Sequence, residues 1–353
     1  MCKTNKSATA IICLSPNNGG MELDAIKLTN KLSPYLPALL VAKENSFIAK
    51  QAVCKLETIS FNMNFSLQMI LKMRKVIKEN NIKNVIFFGA SELRSLYFAF
   101  IGLNINLIVR HGTTKSKPKK DLFHRLIYSN VNYHISICKH LQKNVEYIIP
   151  FGKYTQSKLI YSSISIKTMK KKEKDTNQLS LLHVGRIAKA KGQTDAILAC
   201  EVLHKNKIDF NLKLVGAIDE HYEEEFIQFY HNCPYKDKIE LVGFTNNVDI
   251  YYQKSDIFLF PSHGEGLSNA FLEALAYELV PISYNNTSFP ELLDLGFSFA
   301  MANNQDIHHL QHTLLLIAQN FIKYKNTTKH NSFLVKKYFS EEKEINNYLT
   351  LLK

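Results

Sequence analysis

The six cysteines of this 353-residue chain include no CxxC pair and no dense array, which excludes the disulfide framework of a small secreted fold and points to reduced, cytoplasmic thiols. No apolar run reaches the roughly 20 residues that a spanning helix needs. The longest, Leu96 to Val109, is interrupted by Asn104 and Asn106. The apolar run near the start stops at Pro16 and enters a glycine turn, so it reads as a first strand and not as a signal peptide. No repeat of fixed period and no long low-complexity tract appears, which sets aside solenoids and arrays. The first turn reads SPNNGGMEL, without the G-x-G-x-x-G of a dinucleotide-dependent dehydrogenase. No RNP, zinc-finger or KH-type signature is present either, which weighs against a nucleic-acid-binding protein.

The composition that remains is 46% hydrophobic and 21% charged, ordinary for a globular protein able to bury a large core. The length exceeds one compact core and suits two domains. An excess of 44 Lys and Arg over 31 Asp and Glu favours partners that carry phosphate, without choosing among nucleotide, nucleic acid and anionic lipid.

Short β-branched runs alternate with segments of helical period: TAIICLSP, a helix after Gly20, PALLVAK, a helix around Phe65 to Lys78, NVIFFGA, a helix near Glu92 to Gly102, INLIVRHG, a polar segment, YHISICK and YIIPF. The alternation predicts a doubly wound α/β domain over residues 1–155. It lapses over residues 156–178, rich in Ser and Lys, which read as a linker. It resumes with LSLLHVG, FNLKLVG, IELVGF, IFLFPS and LVPISY, predicting a second such domain over 179–335. Residues 336–353 read as a helix with Ile345, Tyr348 and Leu349 on one side, free to pack back on the first domain.

Two segments carry chemistry. Arg186, Lys191 and Gly192 sit where the strand LSLLHVG turns into a helix, and a helix start offers free N–H groups and partial positive charge to an anion. Arg grips phosphate oxygens as a fork and Lys as a point charge, so the turn suits a diphosphate; two solvated cations are the bland alternative. The second segment is FLFPSHGEGLSNAFLEALAYELVPISY. A buried strand ends at Pro261, a glycine-bracketed loop holds Glu265, Ser268 or Asn269 caps a helix, and Glu273 lies on that helix. Gly264 and Gly266 allow close backbone approach, and the N–H groups of Gly266, Leu267 and Ser268 suit phosphate. Carboxylates beside a phosphate site suit sugar hydroxyls, since each accepts two hydrogen bonds.

On these residues the chain resembles the retaining glycosyltransferases of family 4, which have the GT-B fold: α/β, two Rossmann-like doubly wound domains facing across a cleft. VGRIAKAKG, VGF and the two glutamates separated by seven residues carry the resemblance, which is close in the C-terminal half and looser in the N-terminal half. It implies that Arg186 and Lys191 neutralise the leaving diphosphate, Glu273 holds the ribose hydroxyls and Glu265 contacts the donor sugar. Gly243 and Phe244 would lie near the base. In the first domain Gly19, Gly20 and Glu22 match the family's GG-x-E loop, and His111 matches a histidine that faces the sugar. The reaction implied is sugar transfer from a nucleotide-sugar, taken as UDP-linked, to a lipopolysaccharide-core or other lipid-linked saccharide.

The family often has glycines where this chain has Asn285, Asn286, Thr287 and Ser288, so donor-sugar preference does not carry over. The chain has no Asp-x-Asp pair, the metal-bridging element of the other large glycosyltransferase fold, and no metal or other cofactor is expected. His308 and His312 share a helix face but lack the glutamate of a zinc motif. Residues 110–128 hold Arg110, Lys115, Lys117, Lys119, Lys120 and Arg125 beside Phe123, Leu126, Ile127 and Tyr128. This stretch suits reversible docking on the anionic inner face of the cytoplasmic membrane, as the resemblance to lipopolysaccharide-core transferases also implies. The alternatives are a non-catalytic nucleotide-sugar sensor and a basic nucleic-acid-binding protein.

Overall fold

The computed structural model describes residues 7–17, 19–63, 65–89, 91–165 and 178–352, which form two compact units. Unit 1 comprises Met1–Ser162 and Glu341–Lys353, and unit 2 comprises Ser163–Ser340.

The apolar runs of unit 1 become the parallel strands β1 (Ala8–Cys13), β2 (Ala38–Lys43), β3 (Leu56–Ile59), β4 (Ile82–Phe88), β5 (Asn106–His111), β6 (Tyr133–Ser136) and β7 (Gln156–Leu159), in the order β3-β2-β1-β4-β5-β6-β7. Successive side chains point to opposite faces, so one strand feeds two cores. Ala10, Ile12, Val85 and Phe87 pack on one face. Ile11, Cys13, Ile86 and Phe88 pack on the other, where Ile345 and Tyr348 of the last helix, Glu341–Leu351, complete the cluster. That helix is tied down by the Lys31–Glu344 ion pair at 2.8 Å and by Asn106 Nδ2 donating to Leu351 O at 2.8 Å.

Three local expectations change. Gln156–Leu159, expected to open the linker, pairs with β6 as a seventh strand. Residues 166–177 of that linker lie outside the described residues. YIIPF is not a strand, because Leu141, Val145 and Ile148 recur at helical spacing and bury one side of the helix Lys139–Ile148. The polar stretch after β5 contains the short helix Leu122–Tyr128, capped by Asp121 accepting from His124 N.

Unit 2 holds β8 (Leu179–Val184), β9 (Phe210–Val215), β10 (Ile239–Gly243), β11 (Ile257–Phe260), β12 (Val280–Tyr284) and β13 (Ala300–Ala302), in the order β10-β9-β8-β11-β12-β13 and also parallel. Its core gathers Leu181, Leu212, Leu214, Ile257, Leu259 and Ile282 with the inner faces of the flanking helices. In both sheets the chain leaves the centre in opposite directions, at β1/β4 and at β8/β11. A crevice opens at such a switch point, at the strands' carboxyl ends.

Candidate functional site

In unit 2 the two segments singled out by sequence flank that switch point: Arg186–Gly192 follows β8, and Pro261–Ser268 follows β11. The first passes through a short 3-10 turn, Lys189–Lys191, into the helix Gln193–Lys205. Gly192 joins them at φ +75°, where a side chain's Cβ would stand 1.9 Å from Pro261 O. Only glycine supplies both the left-handed backbone and the close approach. His263 N donates to Ala190 O at 3.0 Å, so the two loops are stitched together.

Lys191 and Glu265 meet in consequence, Nζ to Oε1 at 2.7 Å, with side chains 34% and 11% exposed. The Ser262 hydroxyl donates to the same carboxylate oxygen at 2.9 Å. Glu265 N donates to Thr287 Oγ1, and Asn286 Nδ2 donates to Ser262 O. The residues that stand in place of the family's glycines therefore hold the Glu265 loop, and Thr287 adopts a positive φ of 44° to do so. Arg186 is exposed and pairs with Asp219 at 3.2 Å.

Several supporting residues carry no motif. Gln193, buried on the first helical turn, donates to Arg186 O at 3.0 Å and accepts from Ala188 N at 3.4 Å. Its position after Gly192 was the only signal in the sequence. His183, fully buried in β8, donates its Nε2–H to Lys191 O at 2.9 Å, and burial pulls its pKa down to about 4. A carbonyl only accepts, so this contact sets the tautomer. His263, which opens the glycine loop, contacts Asp195 Oδ2 with Nε2 at 3.0 Å, and Tyr284 donates to the same oxygen at 2.8 Å.

Ser268 caps the helix Asn269–Ala276 by accepting from Phe271 N. The backbone N–H groups of Gly266, Leu267 and Ser268 meet no acceptor among the described residues. Glu273 is half-buried on this helix, beside the Tyr252 phenol, whose pKa is raised first by burial and then by the Glu273 charge. Gly243 ends β10 at φ +76°, and the adjacent Phe244 ring is 75% exposed. In the sheet order they lie two strands from β8, apart from Lys191 and Glu265.

In unit 1, Gly19 caps the helix Gly20–Leu32 through its extended backbone, and the buried Glu22 carboxylate folds toward it. His111, the last residue of β5, is only 2% exposed. Its Nε2 lies 2.8 Å from Nδ1 of the fully buried His134. Burial, then the neighbouring imidazole and cations, holds His111 well below the usual histidine range, and burial pulls His134 down to about 3. Both rings are thus neutral, with one proton between them. Among the described residues His111 Nδ1 and His134 Nε2 have no hydrogen-bond partner.

The basic stretch 110–128 divides. Arg110 does not belong to an exposed patch: it is buried, bonded to Asp24 at 2.8 Å and Ser162 at 2.6 Å, and stacked over Phe88. Its place in β5 points the side chain into the sheet face that carries Phe88. Ile127 and Tyr128 are buried too, whereas Leu122, Phe123 and Leu126 are exposed near Lys117, Lys120 and Arg125. His308 and His312 are exposed on the helix Ile307–Gln319. Among the described residues no group of three or more His, Cys, Asp or Glu is placed to hold a metal ion, and no helix is long and apolar enough to cross a membrane.

Residues 165–348 match the family model described as glycosyl transferases group 1. The capsular polysaccharide biosynthesis glycosyltransferase CapH of Staphylococcus aureus is 24% identical over 289 residues, 76% of this chain and 79% of that protein. HepE of Anabaena, solved in complex with UDP and glucose, superposes with a TM-score of 0.80 at 16% identity, covering 98% of each chain. The lipopolysaccharide outer core galactosyltransferase WaaB, in its apo form, gives 0.74 at 16% identity over 97% of this chain and 99% of that one. At these identities the structural likeness bears on the fold, which is GT-B.

Proposed function

The chain belongs to the glycosyl transferases group 1 family, and from that premise we propose that it moves a sugar, with retention, from a UDP-linked donor to a lipopolysaccharide-core or other lipid-linked saccharide. One observation carries the donor reading: Lys191 and Glu265, far apart in sequence, meet at the β8/β11 switch point beside three free backbone N–H groups. As the bond from sugar to diphosphate breaks, negative charge grows on the leaving oxygen. Fixed cations and N–H groups then stabilise the transition state more than the ground state. Lys191 and Arg186 supply the cations, and Gly266, Leu267 and Ser268 the N–H groups, so the step as proposed uses no metal.

Donor arrival transfers Lys191 from Glu265 to phosphate, and Glu265, still held by Ser262, accepts from a sugar hydroxyl. Glu273 takes the ribose hydroxyls, and the exposed Phe244 beside Gly243 offers a ring face to the base. Gly19, Gly20 and His111 serve the sugar from unit 1, His111 as a neutral imidazole. The acceptor is reached from the cytoplasmic face of the membrane, where Leu122, Phe123 and Leu126 dip into the interface and Lys117, Lys120 and Arg125 meet anionic headgroups.

A thermal-shift panel of nucleotide-sugars tests the donor, and the anomeric configuration of the product, read by NMR, tests retention. Stabilisation by UDP-sugars and an axial-to-axial or equatorial-to-equatorial outcome are expected. No shift with any nucleotide-sugar rejects the donor site.

A further inference from the structure

Between β12 and the helix Phe289–Asp294 the backbone takes an unfavourable conformation at Thr287. Among the described residues six non-glycine residues have a positive φ, and Thr287, at +44°, is the only β-branched one. A branched Cβ crowds the left-handed region that glycine enters freely. Strain of this kind persists only where the surroundings hold it, and it gathers at functional sites. Glycine would relieve it here, but without a hydroxyl.

That hydroxyl is engaged twice. Thr287 Oγ1 accepts from Glu265 N at 3.1 Å and donates to Asn286 Oδ1 at 3.0 Å. Asn286 Nδ2 in turn donates to Ser262 O at 2.9 Å and to Asn304 Oδ1 at 2.7 Å, which braces the loop's base. Among the described residues the Thr287 bond is the only hydrogen bond to the backbone of Glu265, a residue flanked by Gly264 and Gly266. The carboxylate end is held through Oε1, by Lys191 at 2.7 Å and by Ser262 at 2.9 Å. Oε2 has no hydrogen-bond partner among the described residues, and the side chain is 11% exposed. A carboxylate anchored at both ends therefore offers one acceptor oxygen in a fixed direction.

We propose that Thr287 is a positioning residue that sets donor-sugar specificity by fixing the direction of Glu265 Oε2. A fixed acceptor pairs with a hydroxyl presented from one side of the sugar ring, and an epimer leaves both groups unpaired. A loop free to swing about Gly264 and Gly266 would follow either epimer. Once Lys191 turns to the diphosphate, Ser262 and Thr287 are the restraints that remain. The specificity rests on Glu265 as the sugar ligand proposed above; the clamp itself does not.

The test measures UDP release, with water as the acceptor, from UDP-glucose and UDP-galactose and from UDP-N-acetylglucosamine and UDP-N-acetylgalactosamine. The readout is the ratio of kcat/KM within each epimer pair. T287G and T287A are expected to narrow the wild-type ratio by at least about tenfold, with calorimetric affinity for UDP unchanged. T287S keeps the hydroxyl and should restore the ratio. Stability should follow the Cβ instead: T287G should melt about 2 to 4 °C above T287A, although neither discriminates. A purely structural Thr287 would scale all four rates alike, and unchanged ratios in T287G and T287A overturn the proposal. So does a wild type that treats both members of each pair equally. A wild type that releases UDP from none of the four counts against the donor reading, and hydrogen exchange of the Glu265 amide then tests the clamp alone. Faster exchange in T287G than in T287S supports it, and equal exchange overturns it.

Discussion

Lys191 and Glu265 form a 2.7 Å ion pair across 74 positions of sequence, so in the free protein the cation read as the phosphate ligand is already held by the carboxylate read as the sugar ligand. The pair keeps the site electrically balanced before the donor arrives, and it makes the two residues act as a unit. Lys191→Ala and Glu265→Ala are each expected to lower kcat by about a hundredfold, the scale of losing one transition-state donor, or roughly 3 kcal/mol. The double variant should fall far short of the product of the two. Arg186→Ala should behave like the single variants. Initial rates with the donor found by thermal shift decide this; wild-type turnover in all three single variants would sink the donor-site assignment.

Gly192 decides whether the two loops can touch. A methyl group there would approach Pro261 O at 1.9 Å and Ser262 N at 3.2 Å on a backbone held at φ +75°. Gly192→Ala should therefore separate the loops, costing about 2 kcal/mol or more of stability, with UDP binding lost. Differential scanning calorimetry and UDP titration measure the two effects. Unchanged values would mean that the loops tolerate the separation.

Three buried histidines set the acid limit. His111, His134 and His183 have folded pKa values depressed below the ordinary 6.5, the last two to about 3 and about 4. Above pH 6.5 both folded and unfolded chains keep them neutral, and pH has no effect through them. Below it the unfolded chain binds protons that the folded one refuses, so stability falls as pH drops, until the folded pKa is reached. From pH 7 to 5.5 each should cost about 1 kcal/mol. Denaturant titrations at the two pH values test the sum. His183→Gln, which keeps a donor for Lys191 O, should remove about a third of the loss.

The last helix closes unit 1. Deleting residues 341–353 removes the buried Ile345 and Tyr348 and the Glu344 partner of Lys31. Burial of two such side chains contributes roughly 3 to 6 kcal/mol, enough to unfold a unit of ordinary stability. Limited proteolysis should then cut within residues 7–162 and spare 178–340. Equal resistance of both units would reject this role for the helix.

Much of the fold was legible in the sequence because strand and helix periods are local. A run such as TAIIC alternates between two cores, and Leu141, Val145 and Ile148 recur along one helix side, whatever the rest of the chain does. The ends of elements were less legible. YIIPF looks β-like by composition and becomes a helix end, and Gln156–Leu159 looks like linker and becomes β7, since pairing with β6 is a non-local choice. The motif residues Arg186, Lys191, Glu265 and Glu273 stood out in the sequence, since the first three lie between a strand and the helix that follows it and Glu273 lies on such a helix. Gln193, Asn286 and Thr287, which hold those residues, were not, because a single amide or hydroxyl gives no pattern.

The order of residues alone was enough to specify two doubly wound sheets, the glycine-flanked turns after β8 and β11, and the spacing of the glutamates, all consequences of local backbone preference and apolar periodicity. Tertiary structure decided the partners: Glu265 for Lys191, Asp24 for Arg110 and His134 for His111. It also decided which members of one basic stretch are buried and which face solvent. Charge and composition are carried by single residues, but whether a charge is paired, buried or left to bind a ligand depends on which distant segment the fold lays beside it.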